Sequence, residues 1–173
     1  MSRWTSSIIV VAVLLTTLSA CSYRFAGSGR LPAGVSRVFV EILDNRSAET
    51  GVEQLFTNDL IGEFTRMNAG LLAPSREVAD GILTGTIVRL SVGDLTRSSV
   101  STSVEREVTG RLRLQLLSMD GRILWSSGDM VERQAFAVDA GDKSATDQNK
   151  TEAIAAISTK LAEYAFSRLT ADF

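Results

Sequence analysis

The stretch REVTGRLRLQLLSMDGRILW, residues 106–125, carries the clearest strand pattern in the sequence. Polar and apolar side chains alternate along it until MDG at 119–121, which predicts a tight turn. A period of two residues is typical of a β-strand with one buried face. We therefore predict a strand over 104–117 whose buried face carries Val104, Val108, Leu112, Leu114 and Leu116.

Three further segments alternate in the same way and complete a sheet around this hairpin. A strand over 123–138 follows the turn, and residues 35–43 form the first strand of the chain. Its predicted buried face carries Val38, Val40 and Ile42, with Phe39, Glu41 and Leu43 opposite. A strand over 81–95 precedes the hairpin, and its predicted buried face carries Ile82, Val88, Leu90 and Val92.

Two segments have the spacing of amphipathic helices. Residues 48–68 are capped in this prediction by Ser47, or by Thr50 paired with Glu53, and residues 146–170 are rich in alanine. Apolar positions recur every three or four residues, at Val52, Leu55, Phe56, Leu60, Phe64 and Met67, and at Ile154, Ile157, Leu161 and Tyr164 or Ala165. The order strand, helix, three strands, helix predicts one α+β domain over 35–173: a four-stranded, mostly antiparallel sheet with both helices on one face.

The N-terminus resembles a bacterial lipoprotein signal. Arg3 precedes an apolar run over 8–18, which is about half the length that spans a bilayer, and LSAC at 18–21 resembles a lipobox. The resemblance implies removal of residues 1–20, acylation of Cys21, and, because Ser22 follows, sorting to the outer membrane. Residues 21–34 are then an acylated end and a short tether. The alternative is an ordinary buried cysteine.

Composition restricts the chemistry. The 173 residues include 18 basic and 20 acidic side chains, one cysteine and no histidine. The balance of charges argues against a nucleic-acid partner. The lack of histidine and of a second cysteine removes the usual zinc ligands and the usual general base. Ser158 and Lys160 form the S-x-K of a serine–lysine pair, but on a helix they point in different directions. We predict a protein that is not an enzyme, with no metal and no cofactor beyond the lipid on Cys21.

The face of the sheet away from the helices is predicted to mix apolar and charged residues: Phe39, Leu43, Leu83 and Ile87 with Arg89, Thr109, Arg111, Arg113 and Gln115. Such a face is either ordinary exposed surface or a docking face for a protein or a lipid-bearing ligand.

Across the mature chain, the ordered set CSYRF, LPAGVSRVFVEILDN, GVEQLFTNDL, VADGILTGTIVRL, the hairpin and the final helix resembles the lipopolysaccharide-assembly lipoprotein family, the LptE type. The resemblance implies a domain anchored in the outer membrane. There it would plug an LptD-like β-barrel translocon, bind lipopolysaccharide and help to deliver it to the cell surface.

Basic residues in two loops are the candidate ligand site. The loops that follow the strands over 81–95 and 123–138 lie at one end of an antiparallel sheet. They contain Arg97 and Lys143, with Arg106 and Lys150 at their margins. The family resemblance implicates basic residues in corresponding loops, and Arg97 and Lys143 match by position.

A second function class fits the same elements. VFVEILDNRS followed by a helix also resembles periplasmic lipoproteins that act as adaptors for a cell-wall synthase or a secretion assembly, with no lipid ligand. An activator of an inner-membrane enzyme needs a long tether, and only about a dozen residues separate Cys21 from the first strand. A carboxylate-based hydrolase is a third class, but paired acids in a recognisable motif are missing.

Overall fold

The computed structural model describes residues 31–95 and 104–171. Five strands form one sheet: β1 Val38–Val40, β2 Asp44–Asn45, β3 Gly81–Asp94, β4 Val104–Ser118 and β5 Ile123–Val138. The described residues form two α-helices, α1 Val52–Asn68 and α2 Lys143–Leu169, and short 3-10 turns at Pro32–Gly34, Ala69–Leu71 and Arg76–Val78. The α+β class is confirmed, with five strands where the sequence predicted four.

The sheet has the order β1-β3-β4-β5, and β2 extends the β1 edge by pairing with β3. Both β1 and β2 run parallel to β3, whereas β3, β4 and β5 form an antiparallel meander. The predicted turn between β4 and β5 is confirmed: Gly121 has a φ of 86°, and Ser118 and Arg122 close it by a backbone hydrogen bond of 2.8 Å.

One face of the sheet, the helix face, packs against α1 and α2. The two helices contact each other; α1 also contacts β1 and β2, and α2 contacts β4 and β5. The rings of Phe64 in α1 and Phe166 in α2 pack edge to face, with their centroids 5.0 Å apart. The strands contribute to this core Val38, Val40, Leu83, Ile87, Val108, Leu112, Leu114, Leu116, Met130 and Phe136.

The first predicted strand is interrupted, and its alternation is wrong beyond Val40. Ile42, predicted to be buried, is 64% exposed, whereas Leu43, predicted to be on the opposite face, is 2% exposed within the core. The backbone N–H of Leu43 donates to Thr57 Oγ1 of α1 at 3.1 Å instead of joining a strand ladder. This contact with the helix breaks the strand.

A second correction concerns β3, where the predicted faces are exchanged in the first half of the strand. Leu83 and Ile87 are buried in the core, and Ile82 and Val88 lie on the opposite face, here called the open face. The register shifts between Ile87 and Arg89. This bulge at Val88 restores the predicted core positions of Leu90 and Val92, which pack against the core, and leaves Arg89 on the open face.

Both helix starts differ from the prediction. Gly51 is the N-cap of α1 in the left-handed region, with φ of 80°, and Ser47 Oγ bonds to Asn45 rather than capping the helix. In α2 the side chain of Asp142 accepts a hydrogen bond from Ala145 N–H, so the helix begins at Lys143, three residues before the predicted start.

The packed part of the chain reaches back into the predicted tether, because Leu31 belongs to the core. No helix in the described residues is both long and apolar enough to cross a membrane.

Candidate ligand-binding surfaces

The strand ends that precede the two predicted basic loops lie at one end of the sheet. β4 is antiparallel to both β3 and β5, and Arg106 is aligned with Asp94 on one side and Phe136 on the other. The ends of β3 and β5 therefore lie together, and we call Arg106, Lys143 and Lys150 there the basic end. Arg97 and Cys21, the two other predicted site residues, lie outside the described residues.

Each cation of the basic end is already bound to an acid. Arg106 Nε lies 2.9 Å from an oxygen of Asp94, and Lys143 Nζ contacts Asp147 one turn along α2. Lys143 was predicted in a loop, but it occupies the first turn of α2, where the helix dipole disfavours a positive charge. The hydrogen bond from Lys143 lowers the pKa of Asp147, which keeps this pair charged.

Lys150 lies in the third turn of α2 and reaches across to the segment before α1. Its Nζ donates to both oxygens of Glu49, at 2.8 and 3.0 Å, and both side chains are less than one-third exposed. This pair links the two helical segments. The basic end thus offers cations whose charge is largely neutralised within the protein.

The open face carries a second group of cations that the strand register brings together. Arg89 of β3 is directly opposite Arg111 of β4, and Thr86 is opposite Arg113. Arg46 follows β2, and its backbone N–H donates to Ile87 of β3 at 3.0 Å. We call Arg46, Arg89, Arg111 and Arg113 the arginine cluster.

The arginine cluster is poorly neutralised. Arg111 and Arg113 share one carboxylate, Asp129 of β5, at 3.3 and 2.6 Å. Neither Arg46 nor Arg89 forms an ion pair with any carboxylate in residues 31–95 or 104–171. Two of the four guanidinium groups therefore share one acid, and the other two have no acidic partner within the described residues.

A cleft of about 170 Å³ opens at one side of the cluster. It is lined by Arg46, Gly85, Thr86, Val88, Arg113 and Gln115. The two guanidinium groups, the hydroxyl and the amide provide several hydrogen-bond donors, and the lining contains no acid. Such a lining suits an anion. Sequence reasoning missed Arg46, because it assigned the chain after Leu43 to a loop; the pairing of β2 with β3 places Arg46 beside the sheet.

A larger groove, of about 290 Å³, lies between β5 and α2. Its lining combines the apolar surface of Phe136, Ala153 and Ala156 with the polar side chains of Gln134, Asn149 and Glu152. Asn149 Nδ2 donates to the backbone oxygen of Ala137 at 3.0 Å. The only ionisable group in this lining is an acid, so the groove does not attract anions.

The serine–lysine pair considered above does not form. Ser158 is 1% exposed in the core, whereas the Lys160 side chain is 48% exposed and its Nζ donates to Gln134 at 3.0 Å. Within the described ranges, no group of three His, Cys, Asp or Glu side chains is placed to hold a metal ion. The absence of enzymatic activity stays a prediction.

An antiparallel meander with a parallel edge, covered on one face by two helices, is a small α+β domain that recurs in solved bacterial lipoproteins. A minor lipoprotein from Acinetobacter baumannii is 12% identical, with a TM-score of 0.53, 79% of this chain covered and 92% of that one. Lipoprotein B from Nitrosomonas europaea is 14% identical, with a TM-score of 0.53, and the match covers 79% of this chain and 83% of that one. At these identities the likeness is one of fold.

A family model is more specific. The model of the LptE family, described as lipopolysaccharide-assembly, matches residues 35–169. This chain therefore belongs to the LptE family. No curated protein sequence matches it.

Proposed function

We propose that the protein is an outer-membrane lipoprotein that plugs and stabilises an LptD-like β-barrel translocon and binds lipopolysaccharide during delivery to the cell surface. The observation that carries this proposal is the LptE family match, which extends over almost the whole folded domain. The membrane anchor is the acylated Cys21 at the end of the signal sequence.

The short link between anchor and domain supports this location. Residues 22–30 separate Cys21 from Leu31, which is packed in the core. A fully extended chain of that length spans about 35 Å at most. The domain would stay within that distance of the membrane that holds the lipid, which suits a partner embedded in the same membrane and does not suit an enzyme across the periplasm.

The surface of the domain supports the role of a plug. A single core joins the sheet to both helices, and the open face carries arginines and polar side chains beside apolar ones such as Ile82 and Val88. A domain of this kind is rigid enough to keep its shape inside a barrel and polar enough to match a barrel lumen.

An affinity pull-down of the acylated protein from detergent-solubilised outer membrane, followed by mass spectrometry, tests the proposal. We expect stoichiometric recovery of a large β-barrel, and loss of both the barrel and membrane association in the Cys21→Ser variant. Recovery of a peptidoglycan synthase or of secretion subunits without a barrel would overturn the proposal and favour an adaptor.

A further inference from the structure

We propose that the arginine cluster and its cleft on the open face bind the phosphate groups of the lipopolysaccharide headgroup. This inference rests on the proposed function for the identity of the ligand, and it moves the binding site from the predicted basic loops to the sheet.

Charge distribution is the first argument. The chain has a formal net charge of −2, yet the cluster contains four arginines, of which two share one carboxylate, Asp129, and two have no ion-pair partner among the described residues. Arg89 and Arg111 are direct cross-strand neighbours, and like charges in that arrangement repel and destabilise a sheet. Fold stability gives no reason for this arrangement, whereas an anion placed between the two guanidinium groups would remove the repulsion.

The bulge at Val88 is the second argument. Leu83 and Ile87 face the core before it, and Leu90 faces the core after it. If Val88 were paired in the ladder and the alternation ran on unbroken, Arg89 would share the core face with Ile87. The irregularity thus places a charged side chain beside Arg111, and bulges often re-aim a side chain at a functional site.

The cleft supplies the binding geometry. Arg46 follows β2 and Arg113 lies in β4, and both line the cleft together with Thr86 and Gln115. One guanidinium group can donate two parallel hydrogen bonds to two oxygens of a phosphate. The hydroxyl of Thr86 and the amide of Gln115 add further donors to such a site. A volume of about 170 Å³ corresponds to on the order of five water molecules, which leaves room for a phosphate and part of a sugar.

Competing surfaces fit phosphate less well. At the basic end each described cation would have to leave Asp94, Asp147 or Glu49 before it bound a ligand. The groove beside α2 is lined by Glu152 and by no cation. Arg46 and Arg89 need no such exchange.

The test uses the full-length acylated protein in detergent. The probes are lipopolysaccharide with intact headgroup phosphates and the same lipopolysaccharide after enzymatic dephosphorylation. The variant is Arg46→Gln with Arg89→Gln, and the matched control is Arg122→Gln, an exposed arginine of the β4–β5 turn that pairs with Asp120. We expect the double variant to bind the phosphorylated probe about 10- to 100-fold more weakly and to lose the preference for phosphate, with the control unchanged.

The outcomes separate this inference from the proposed function. If wild type and double variant bind the phosphorylated probe equally, the site is wrong, although the translocon and its ligand still stand. If the wild type does not bind lipopolysaccharide but still recovers a barrel, the inference and the ligand part of the proposal fail together. A thermal melt checks the fold: Tm should be unchanged or higher in the double variant, and a lower Tm would assign the arginines a structural role instead.

Discussion

The two faces of β4 differ strongly in burial and charge, although their residues alternate along one strand. Leu112 is 1% exposed beneath the helices, and the side chain of its neighbour Arg111 is 48% exposed on the open face. The helix face stabilises the domain through burial of apolar surface. The open face buries Ile82, which is 3% exposed, but the rest of it can carry charged side chains that serve binding.

The largest expected effect comes from truncating the helix face. Leu112→Ala should lower the free energy of unfolding by about 3 kcal/mol, because it leaves a cavity beneath the helices. Arg111→Ala should lower it by less than about 1 kcal/mol, because an exposed ion pair contributes little. Urea denaturation followed by circular dichroism measures both. Equal losses would mean that the open face is also a structural face.

A second prediction tests how closely α2 approaches the helix face. A Cβ added at Gly110 would lie 2.6 Å from Ile157 Cγ2. Gly110→Ala should therefore cost about 1–3 kcal/mol through overpacking. Ile157→Ala is also destabilising, but the double variant should lose clearly less than the sum of the two single losses, since each change makes room for the other. Additive losses would contradict this account.

The sequence predicted the helix face better than the open face. Alternation and helical spacing follow from burial, which acts on each element separately, so the β4–β5 hairpin and both helices were found. The strand break at Ile42 depends on the contact between Leu43 and Thr57, and the exchange of faces in β3 depends on one bulge residue. Neither tertiary effect leaves a periodic signal.

Dependence on tertiary contacts also explains why the sequence did not identify the arginine cluster as a candidate site. The sequence placed the ends of the strands before the two basic segments at one end of the sheet, but it did not show that Arg106, Lys143 and Lys150 each have an acidic partner. The partner of Lys150 is Glu49, far away in sequence. Availability of a cation is a property of the folded surface, and Arg46 was missed for that reason.

A third prediction compares the basic end with the arginine cluster by double-mutant cycles. Lys150 and Glu49 should show a favourable coupling of about 0.5–1 kcal/mol, because the pair is partly buried and doubly hydrogen-bonded. Arg89 and Arg111 should show an unfavourable coupling of a few tenths of a kcal/mol without ligand. Replacements by alanine, measured by urea denaturation at low salt, give both values. A favourable coupling between the two arginines would contradict the proposed repulsion.

The smallest effect concerns the β4–β5 turn, where charges are satisfied locally. The hydroxyl of Ser118 and the guanidinium of Arg122 donate to Asp120 and lower the pKa of that carboxyl to about 2. A carboxyl whose pKa is lowered by folding stabilises the fold at pH values above its unfolded pKa of about 4. That contribution is lost as the pH falls towards 2.

Carbon-13 NMR of the Asp120 carboxyl from pH 7 to pH 2 tests this turn. We expect the Asp120 carboxyl to remain mostly ionised at pH 3 in the wild type. Its pKa should rise in Ser118→Ala, because the hydrogen bond that lowers it most is lost. Ser118→Thr keeps the hydroxyl and should retain the low pKa. A wild-type midpoint near 4 would show that the turn does not hold its carboxylate. The pairing of Asp120 with Ser118 and Arg122 would then be weak. In that case the turn could no longer serve as the well-neutralised region with which the arginine cluster is compared.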